Sequence, residues 1–576
     1  MAVGRIRRRH RCPCPLTEEL SFVGLRLYRQ NEQTMIPDSS VNRVPRRDHI
    51  PSTVAGQDAP FLAYPLLFGG AGLRVLSFFF SENAGGDAWV RAALAGKWLE
   101  HPDLRLVFLT YPPGHFWLIA ALDFLVRDVT VAARLLSLLC GIGSLYVLWK
   151  LARLLYGSAA AIFSCAVLAL YSLHIGYSTT SSSEVPHAFL LLLGMYFFFS
   201  YFHESERRGL WQLVASGLCL SLAESLRFEA WIISGALVLV FPFLWARMRA
   251  RSGRKYSPLL PLLAFGGTAA IWPVIMMSYS WRKFGDPMYL VSDTHSRMMH
   301  ILEVSGHGTG YEMALIPVVL LITLSPLATA AALNSFFLIR GRPLAAAFAA
   351  VTILFFSIQE FEILRGTTLA VARYSLTPGI LLSVMAGDGL LAVREKLFPS
   401  RPKLFRSAVL VFLSLNLILV WIASDVPSSY ADRLAPVSPR LRYPSRISGV
   451  GDYLRAHIRP GDGIIIDDYN TESNTIAAAA GLPLLGGTKE YLAASRNSMG
   501  PEQFIKTEHP RFLVYSDRGA LRRDLELPPR CSDATVANVE FHCELANNTY
   551  RVYQLHYPPV PSRTSLKNPD STAEVP

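Results

Sequence analysis

The chain has 576 residues, 51% of them hydrophobic and only 17% charged, with 55 Lys+Arg against 43 Asp+Glu for a formal charge of +12. A soluble globular chain carries about 25% charged residues, so an ordinary soluble enzyme and a largely disordered chain are both excluded. The apolar residues fall in blocks of roughly 16–25, the length that crosses a hydrocarbon core of about 30 Å; this is a polytopic membrane protein, and its charge must be read loop by loop before any nucleic-acid role is considered.

Residues 1–59 are polar and basic, with Arg5, Arg7, Arg8, Arg9, Arg46 and Arg47, and show no sustained apolar period. They are expected to form a disordered cytoplasmic tail, or an over-extended start with Met35 as the initiator. Candidate spans follow at 60–80, 131–150, 158–177, 186–203, 210–226, 229–246, 258–280, 313–338, 343–358, 374–392 and 407–423. A shorter apolar piece, 112–127, opens at Pro112-Pro113 and contains Asp123.

Charge decides how that piece is treated. With the N-terminus inside and 112–127 not crossing, Lys150/Arg153, Arg207/Arg208, Arg247–Lys255, Arg340/Arg342 and Arg394–Arg406 all fall inside, 16 basic residues against 3 acids. The opposite loops then carry about 10 basic and 15 acidic residues, the positive-inside asymmetry. If 112–127 crossed, the bias would reverse for every later loop. The expected membrane domain is therefore 60–425, with about 11 helices, a first outer loop at 81–111 and a re-entrant or interfacial 112–127. Residues 426–576 read as a separate extracytoplasmic α/β domain. Its "GDYLRAHIRPGDGIIIDD" predicts a helix, a Pro-Gly turn and a buried strand at Gly463–Asp467, and "HPRFLVYSD" and "TYRVYQLHY" predict further strands. The last dozen residues are polar and expected to be loose.

Cys140, Cys165 and Cys219 lie in apolar blocks and read as core residues. Cys12 and Cys14 have no second pair nearby to complete a zinc site. Cys531 and Cys543 could form a disulfide only if the C-terminal region faces an oxidising compartment.

Four features on the outer face could carry chemistry. Asp87 follows two glycines and opens a helical pattern in which Trp89, Leu94 and Trp98 can lie at a membrane interface; its structural alternative is a helix-capping Asp. Glu184 ends the hydroxyl run "STTSSSEVP" just before Pro186, and emerges on the same face as Asp87. Two carboxylates from separate loops suit general-base work on a hydroxyl; a helix-start Glu beside a Ser-rich turn is the alternative. The hairpin "AESLRFEAW" carries Glu224, Arg227 and Glu229. An Arg at that depth needs an anionic partner, either Glu229 or a lipid phosphate. Finally, "RGTTLAVARYSLTPG" brings Arg365, Arg373 and Tyr374 to the outer end of a span. A guanidinium matches phosphate oxygens well, and snorkelling is the alternative for Arg373.

Weaker signals complete the inventory. The loop 281–312 holds His295, His300, His307, Asp286, Asp293 and Glu303 without tight metal-ligand spacing, so no cofactor is indicated, although a divalent metal would be compatible. No P-loop, nucleophile elbow or H-E-x-x-H occurs. One N-x-[ST] sequon is present at Asn547-Asn548-Thr549.

With those residues in order, the chain resembles the GT-C glycosyltransferases, and within them the dolichyl-phosphate-mannose protein mannosyltransferase and lipid A aminoarabinose transferase family. The resemblance is carried by "GGDAW" and "YPPGHFW" in the first outer region, the block "ARLLSLLCGIGSLYVLWKLARLLYG", "SSSEVP" and "ARYSLTPGILLSVMAG". It covers about residues 60–425, with order and spacing carrying the weight. It implies transfer of a sugar from a polyprenyl-phosphate donor to an acceptor hydroxyl on the extracytoplasmic side, with inversion. Asp87 matches the family's first-loop acid, which would deprotonate or orient the acceptor. Glu184 matches the second-loop acid, where Asp is common. Tyr111-Pro112-Pro113 stands where relatives often place a Lys before the prolines to hold the donor phosphate. Tyr111 cannot supply that charge, which leaves Arg227 or Arg373 to do so, with help from His115; Glu229 and Tyr374 complete the expected substrate-binding set. A lipid-linked donor fits a site of this kind, since the leaving group is already good and the protein needs a base, cations and an apolar groove.

The implied partners are the lipid-linked donor, a protein, lipid or glycan acceptor, and membrane lipids, with no nucleic acid. The main rival is a transporter or lipid flippase, which would show internal repeats and broken helices near the midplane. A membrane scaffold whose outer domain binds a partner would leave Asp87 and Glu184 dispensable.

Overall fold

The computed structural model describes residues 59–85, 87–100, 102, 111–203, 209–252, 257–294, 296, 309–368, 370–425, 434–459, 461–467, 473–482, 501–516, 519, 521, 525–528 and 530–558. Residues 1–58 of the basic tail, His295, His300, His307, Glu303, Arg207, Arg208 and the polar C-terminal end lie outside the described residues. The membrane part comprises α1 (Ala59–Phe80), α2 (Ala88–Glu100), α3 (Gly114–Val126), α4 (Val129–Tyr156), α5 (Ser158–Ala169), α6 (Ser172–Tyr177), α7 (Glu184–His203), α8 (Leu210–Glu224), α9 (Glu229–Ser252), α10 (Leu259–Ala269), α11 (Ile271–Phe284), α12 (Thr309–Thr323), α13 (Pro326–Leu338), α14 (Pro343–Leu364), a 3-10 turn (Ala372–Ser375), α15 (Leu376–Leu397) and α16 (Pro402–Asp425).

Among the described residues, α1, α4, α7, α9, α14, α15 and α16 are each long and apolar enough to cross a membrane. Two further pairs qualify only when joined: α10–α11, bent by 52°, and α12–α13, bent by 110°. Nine of the eleven spans expected from the sequence thus meet the length criterion among the described residues, two of them as bent pairs, while 158–177 and 210–226 are shorter helices. The candidate 158–177 is interrupted at Leu170-Tyr171. There the buried Arg74 of α1 donates to the carbonyls of Leu168 (3.0 Å) and Ala169 (3.5 Å), satisfying groups an unbroken helix would have used itself. The candidate 210–226 is the 15-residue α8, about 22 Å long at 1.5 Å per residue. The break in 313–338 falls at Ser325, which has φ +85° and accepts from Ala328 N–H to start α13. The piece 112–127 forms the 13-residue α3, about 20 Å long and short of the hydrocarbon thickness.

Small residues let the bundle close. On α15, a methyl added at Gly387 would collide with the Ala160 carbonyl, and one at Gly389 with the Ala331 carbonyl, so α15 wedges between α5 and α13. Asp388 between them accepts from Arg342 at 2.7 Å and Ser335 at 3.2 Å.

The C-terminal part contains α17 (Ser445–His457), β1 (Ile464–Ile466), α18 (Ser473–Ala479), α19 (Pro501–Glu508), β2 (Phe512–Ser516), β3 (Ala534–Val536), β4 (Val539–Ala546) and β5 (Tyr550–His556). One sheet runs β1-β2-β5-β4-β3, with only the β1–β2 pair parallel. Strand alternation sends Ile464, Phe512 and Val514 to one core, against Val450 and Leu454 of α17, and Ile465, Leu513 and Tyr515 to the other. Cys531 and Cys543 are disulfide-bonded. The segment 438–443 ties this part to the bundle. Glu82 N–H donates to Leu441 O at 2.9 Å, Ser77 Oγ to Pro439 O at 2.5 Å, and Trp89 Nε1 to the Tyr443 hydroxyl at 2.8 Å.

Candidate active site

Four chain segments, which the sequence order separates widely, bring their polar ends together. They are the turn before α2, the start of α7, the α8–α9 turn and the 3-10 turn before α15. Asp87 stands immediately before α2, and its carbonyl accepts from Arg91 N–H at 2.9 Å. The preceding turn needs Gly85, whose φ of +120° suits no L side chain and whose Cα faces the buried Tyr177 ring.

The hydroxyl run before Glu184 is wholly buried, and its polar atoms build the turn. Ser178 and Thr179 hydroxyls donate to the His174 and Gly176 carbonyls, both at 2.6 Å, and Thr180 donates to Ser182 at 2.9 Å. Arg134 of α4 donates from Nε to Thr179 O at 2.7 Å and from Nη2 to Phe78 O and Ser81 O at 2.7 and 2.9 Å. Asn83 joins the two acid-bearing loops: its Nδ2 donates to Ser181 Oγ at 2.8 Å and its Oδ1 accepts from Ser181 N–H at 2.7 Å.

Glu184, with a side chain 4% exposed, receives Arg227 Nη1 on Oε1 at 2.8 Å and has Arg373 Nε at 3.6 Å. Its Oε2 is buried without a partner. Arg227 also donates in a bidentate fashion to Glu229, Nε to Oε2 and Nη2 to Oε1, both at 2.7 Å. Burial alone would lower the Arg227 pKa; Glu229 and Glu184 more than offset it, so the guanidinium is held firmly charged. Arg373 Nη2 lies 3.3 Å from Asp87 Oδ2. The guanidinium carbons of Arg227 and Arg373 lie 5.3 and 5.6 Å from the centre of the Tyr374 ring, a cation–π arrangement.

His115 is fully buried in the first turn of α3, and neither ring nitrogen has a partner among the described residues. Burial, reinforced by Arg91, pushes its pKa well below the ordinary value and keeps it neutral. The start of α3 is fixed by Gly114, whose N–H donates to Ser225 O at 2.9 Å and whose Cα leaves no room for a methyl beside Ser225. Tyr111 lies under the Arg91 guanidinium, 4.6 Å from ring centre to Cζ.

All eight expected site residues thus lie on these four segments or on the Tyr111–His115 entry to α3. Two other named residues go elsewhere. Glu224 accepts from Ser234 Oγ at 2.5 Å, and Arg365 stacks over Phe361 at 4.8 Å. Residues not foreseen are Arg91, Asn83, Arg134 and Tyr177. Arg91 had a readable signal, its i+4 spacing from Asp87 on one helix; the others had none. Among the described residues no cluster of three or more His, Cys, Asp or Glu side chains could hold a metal ion.

Residues 110–277, under a third of the chain, match the model of the dolichyl-phosphate-mannose-protein mannosyltransferase family. No curated protein sequence matches the chain significantly. Among solved structures, ArnT from Cupriavidus metallidurans in the apo state is similar with TM-score 0.56 and 13% identity, over 86% of this chain and 98% of that one. The same protein bound to undecaprenyl phosphate gives 0.53 and 13%, over 87% and 98%. The archaeal oligosaccharyltransferase AglB from Archaeoglobus fulgidus, in complex with an inhibitory peptide and a dolichol-phosphate, gives 0.48 and 14%, over 80% and 69%. Fold and family match agree on the GT-C glycosyltransferase superfamily. The chain is an integral, multi-pass membrane protein.

Proposed function

We propose that the chain transfers a sugar from a polyprenyl-phosphate donor to an acceptor hydroxyl at the extracytoplasmic membrane surface, with inversion at the anomeric carbon. One observation carries the reading: Asp87 and Glu184, from separate loops, share Arg373 at one end of a GT-C-type bundle. In a single displacement, the acceptor oxygen bonds to the anomeric carbon as that carbon's bond to the phosphate oxygen breaks. The acceptor proton passes to Asp87, and polyprenyl phosphate departs with the bonding pair. Asp87 suits the base because its partner is a single guanidinium at 3.3 Å and it is 14% exposed, so an acceptor can reach it. Glu184 is the organiser, fixing Arg227 and Arg373 through Oε1 and presenting Oε2 to the substrate. Neutral His115 offers an uncharged hydrogen-bonding edge to a sugar hydroxyl.

The extracytoplasmic orientation is supported by the positive-inside count and by the Cys531–Cys543 pair, which an oxidising compartment sustains. The sharpest helix break, at Leu324-Ser325, has no ionisable residue between Leu315 and Ile339, which weighs against a transporter site at a broken helix. The test is donor class. Purified chain in lipid nanodiscs should transfer radiolabel from polyprenyl-phosphate sugars and not from nucleotide sugars, and the product should show the opposite anomeric configuration to the donor by NMR. Transfer from a nucleotide sugar, or retained configuration, would overturn the proposal.

A further inference from the structure

The donor reading requires cations for the departing phosphate, and the geometry narrows which ones are free. Arg227 spends Nε and Nη2 on Glu229 and Nη1 on Glu184. Arg373 directs Nη2 to Asp87 and Nε toward Glu184, leaving Nη1 buried with no partner. These two guanidiniums face three carboxylates, Asp87, Glu184 and Glu229. Such a site carries one excess negative charge and would repel a phosphate.

Arg91 brings that sum to zero. It is 4% exposed, one helical turn beyond Asp87 on the buried face of α2. Its guanidinium lies over the Tyr111 ring, makes no ion pair or side-chain hydrogen bond with any described residue, and has Nη1 buried without a partner. An unpaired buried cation is costly unless something anionic completes it. The pieces of such a completion are adjacent: the charges of Asp87, Glu184 and Arg227 act on Arg91, and Tyr111 lies within reach of the charges of both Arg91 and Arg373.

We propose that Arg91, held flat on Tyr111, is the principal phosphate ligand of the donor subsite and that Arg373 Nη1 assists it. Arg227 is then a strut joining α7 to the α8–α9 turn and does not bind phosphate. This rests on the donor reading given above. The planar fork of Arg91 matches two phosphate oxygens, and the bound phosphate supplies the anionic partner that Arg91 Nη1 and Arg373 Nη1 lack.

The test measures binding to the full chain in phosphatidylcholine nanodiscs, using undecaprenyl phosphate, undecaprenol and phosphatidylglycerol as separate probes. Arg91→Gln should weaken undecaprenyl phosphate binding by about 10–100-fold, the range of a charged hydrogen-bonded contact, and leave undecaprenol binding unchanged. Arg91→Lys should recover part of the loss, and Tyr111→Leu should weaken phosphate binding while Tyr111→Phe does not. Unchanged undecaprenyl phosphate binding by Arg91→Gln would overturn the assignment. So would equal loss of the phosphate and the alcohol, which marks a structural role for Arg91. Phosphatidylglycerol binding as tightly as undecaprenyl phosphate, and lost equally in Arg91→Gln, would make this a general headgroup site and overturn the donor assignment. If the wild-type chain does not prefer undecaprenyl phosphate to undecaprenol, the donor reading itself fails.

Discussion

Arg227 and Glu184 meet through an ion pair of 2.8 Å, with both side chains less than a tenth exposed. Removing one member of a buried pair leaves a desolvated charge and costs about 3–5 kcal/mol. Arg227→Met should therefore lower the thermal unfolding temperature markedly, because it strands Glu229 and leaves Glu184 only the more distant Arg373 at 3.6 Å. The triple change Arg227→Met with Glu184→Gln and Glu229→Gln should recover much of that stability while remaining inactive. Thermal unfolding in one detergent measures both; equal stability of wild type and Arg227→Met would show that the network contributes nothing.

Asn83 and Ser181 bind each other twice, and this pair fixes the distance between the Asp87 loop and the Glu184 turn. Asn83→Ala leaves the Ser181 N–H buried and unsatisfied, a cost of about 1–3 kcal/mol. Loss of loop register should lower kcat by about tenfold, since small misplacements of reacting groups are expensive. KM for the donor should change little. A rise in donor KM at unchanged kcat would contradict a positioning role.

Gly389 touches the Ala331 backbone so closely that no methyl fits. Gly389→Ala should destabilise the bundle by about 1–3 kcal/mol through overpacking. Gly266, also helical, has no atom near its missing Cβ, and Gly266→Ala should be neutral or stabilising by up to about 1 kcal/mol from helix propensity. Similar melting behaviour for the two variants would refute the close approach of α15 and α13.

The Cys531–Cys543 bond closes a loop with a sequence separation of 12. A loop of that size contributes about 3 kcal/mol on the chain-entropy account. Under native conditions a membrane-impermeant maleimide should label neither cysteine. After mild reduction in intact cells, both should label from outside. Labelling from outside without reduction would deny the bond, and labelling only after the cells are opened would reverse the topology.

The spans most legible in the sequence are those where composition acts alone. Blocks such as 343–358 and 407–423 became the continuous helices α14 and α16 because their apolar length fixes the outcome. The interrupted ones were opaque for a physical reason. The break after Leu168-Ala169 depends on Arg74, almost a hundred positions earlier, donating to those carbonyls, and no local pattern encodes that. Strand β2 was readable from its run of apolar residues, whereas β4 was missed because Glu540, His542 and Glu544 dilute the apolar signal of a half-exposed strand, and β3 because it is only 3 residues long. At the site, loop parity was enough to put Asp87, Glu184, Arg227 and Arg373 at one end. Which guanidinium is saturated and which has a donor to spare was not readable, since that depends on side-chain partners tenths of a nanometre apart.

The central claim is that Asp87 and Glu184 serve transfer from a lipid-linked sugar, and the most direct measurement compares three proteins in one assay. Wild type, Asp87→Asn and Glu184→Gln, each purified and shown to be folded, receive radiolabelled polyprenyl-phosphate sugars with protein, lipid and glycan acceptors. Wild type should transfer label to one acceptor class, and each variant should fall by at least about 100-fold, the lower bound for loss of a positioned acid–base group. Full transfer by both variants would contradict the account, as would no transfer by wild type together with substrate-dependent flux when it is reconstituted in liposomes.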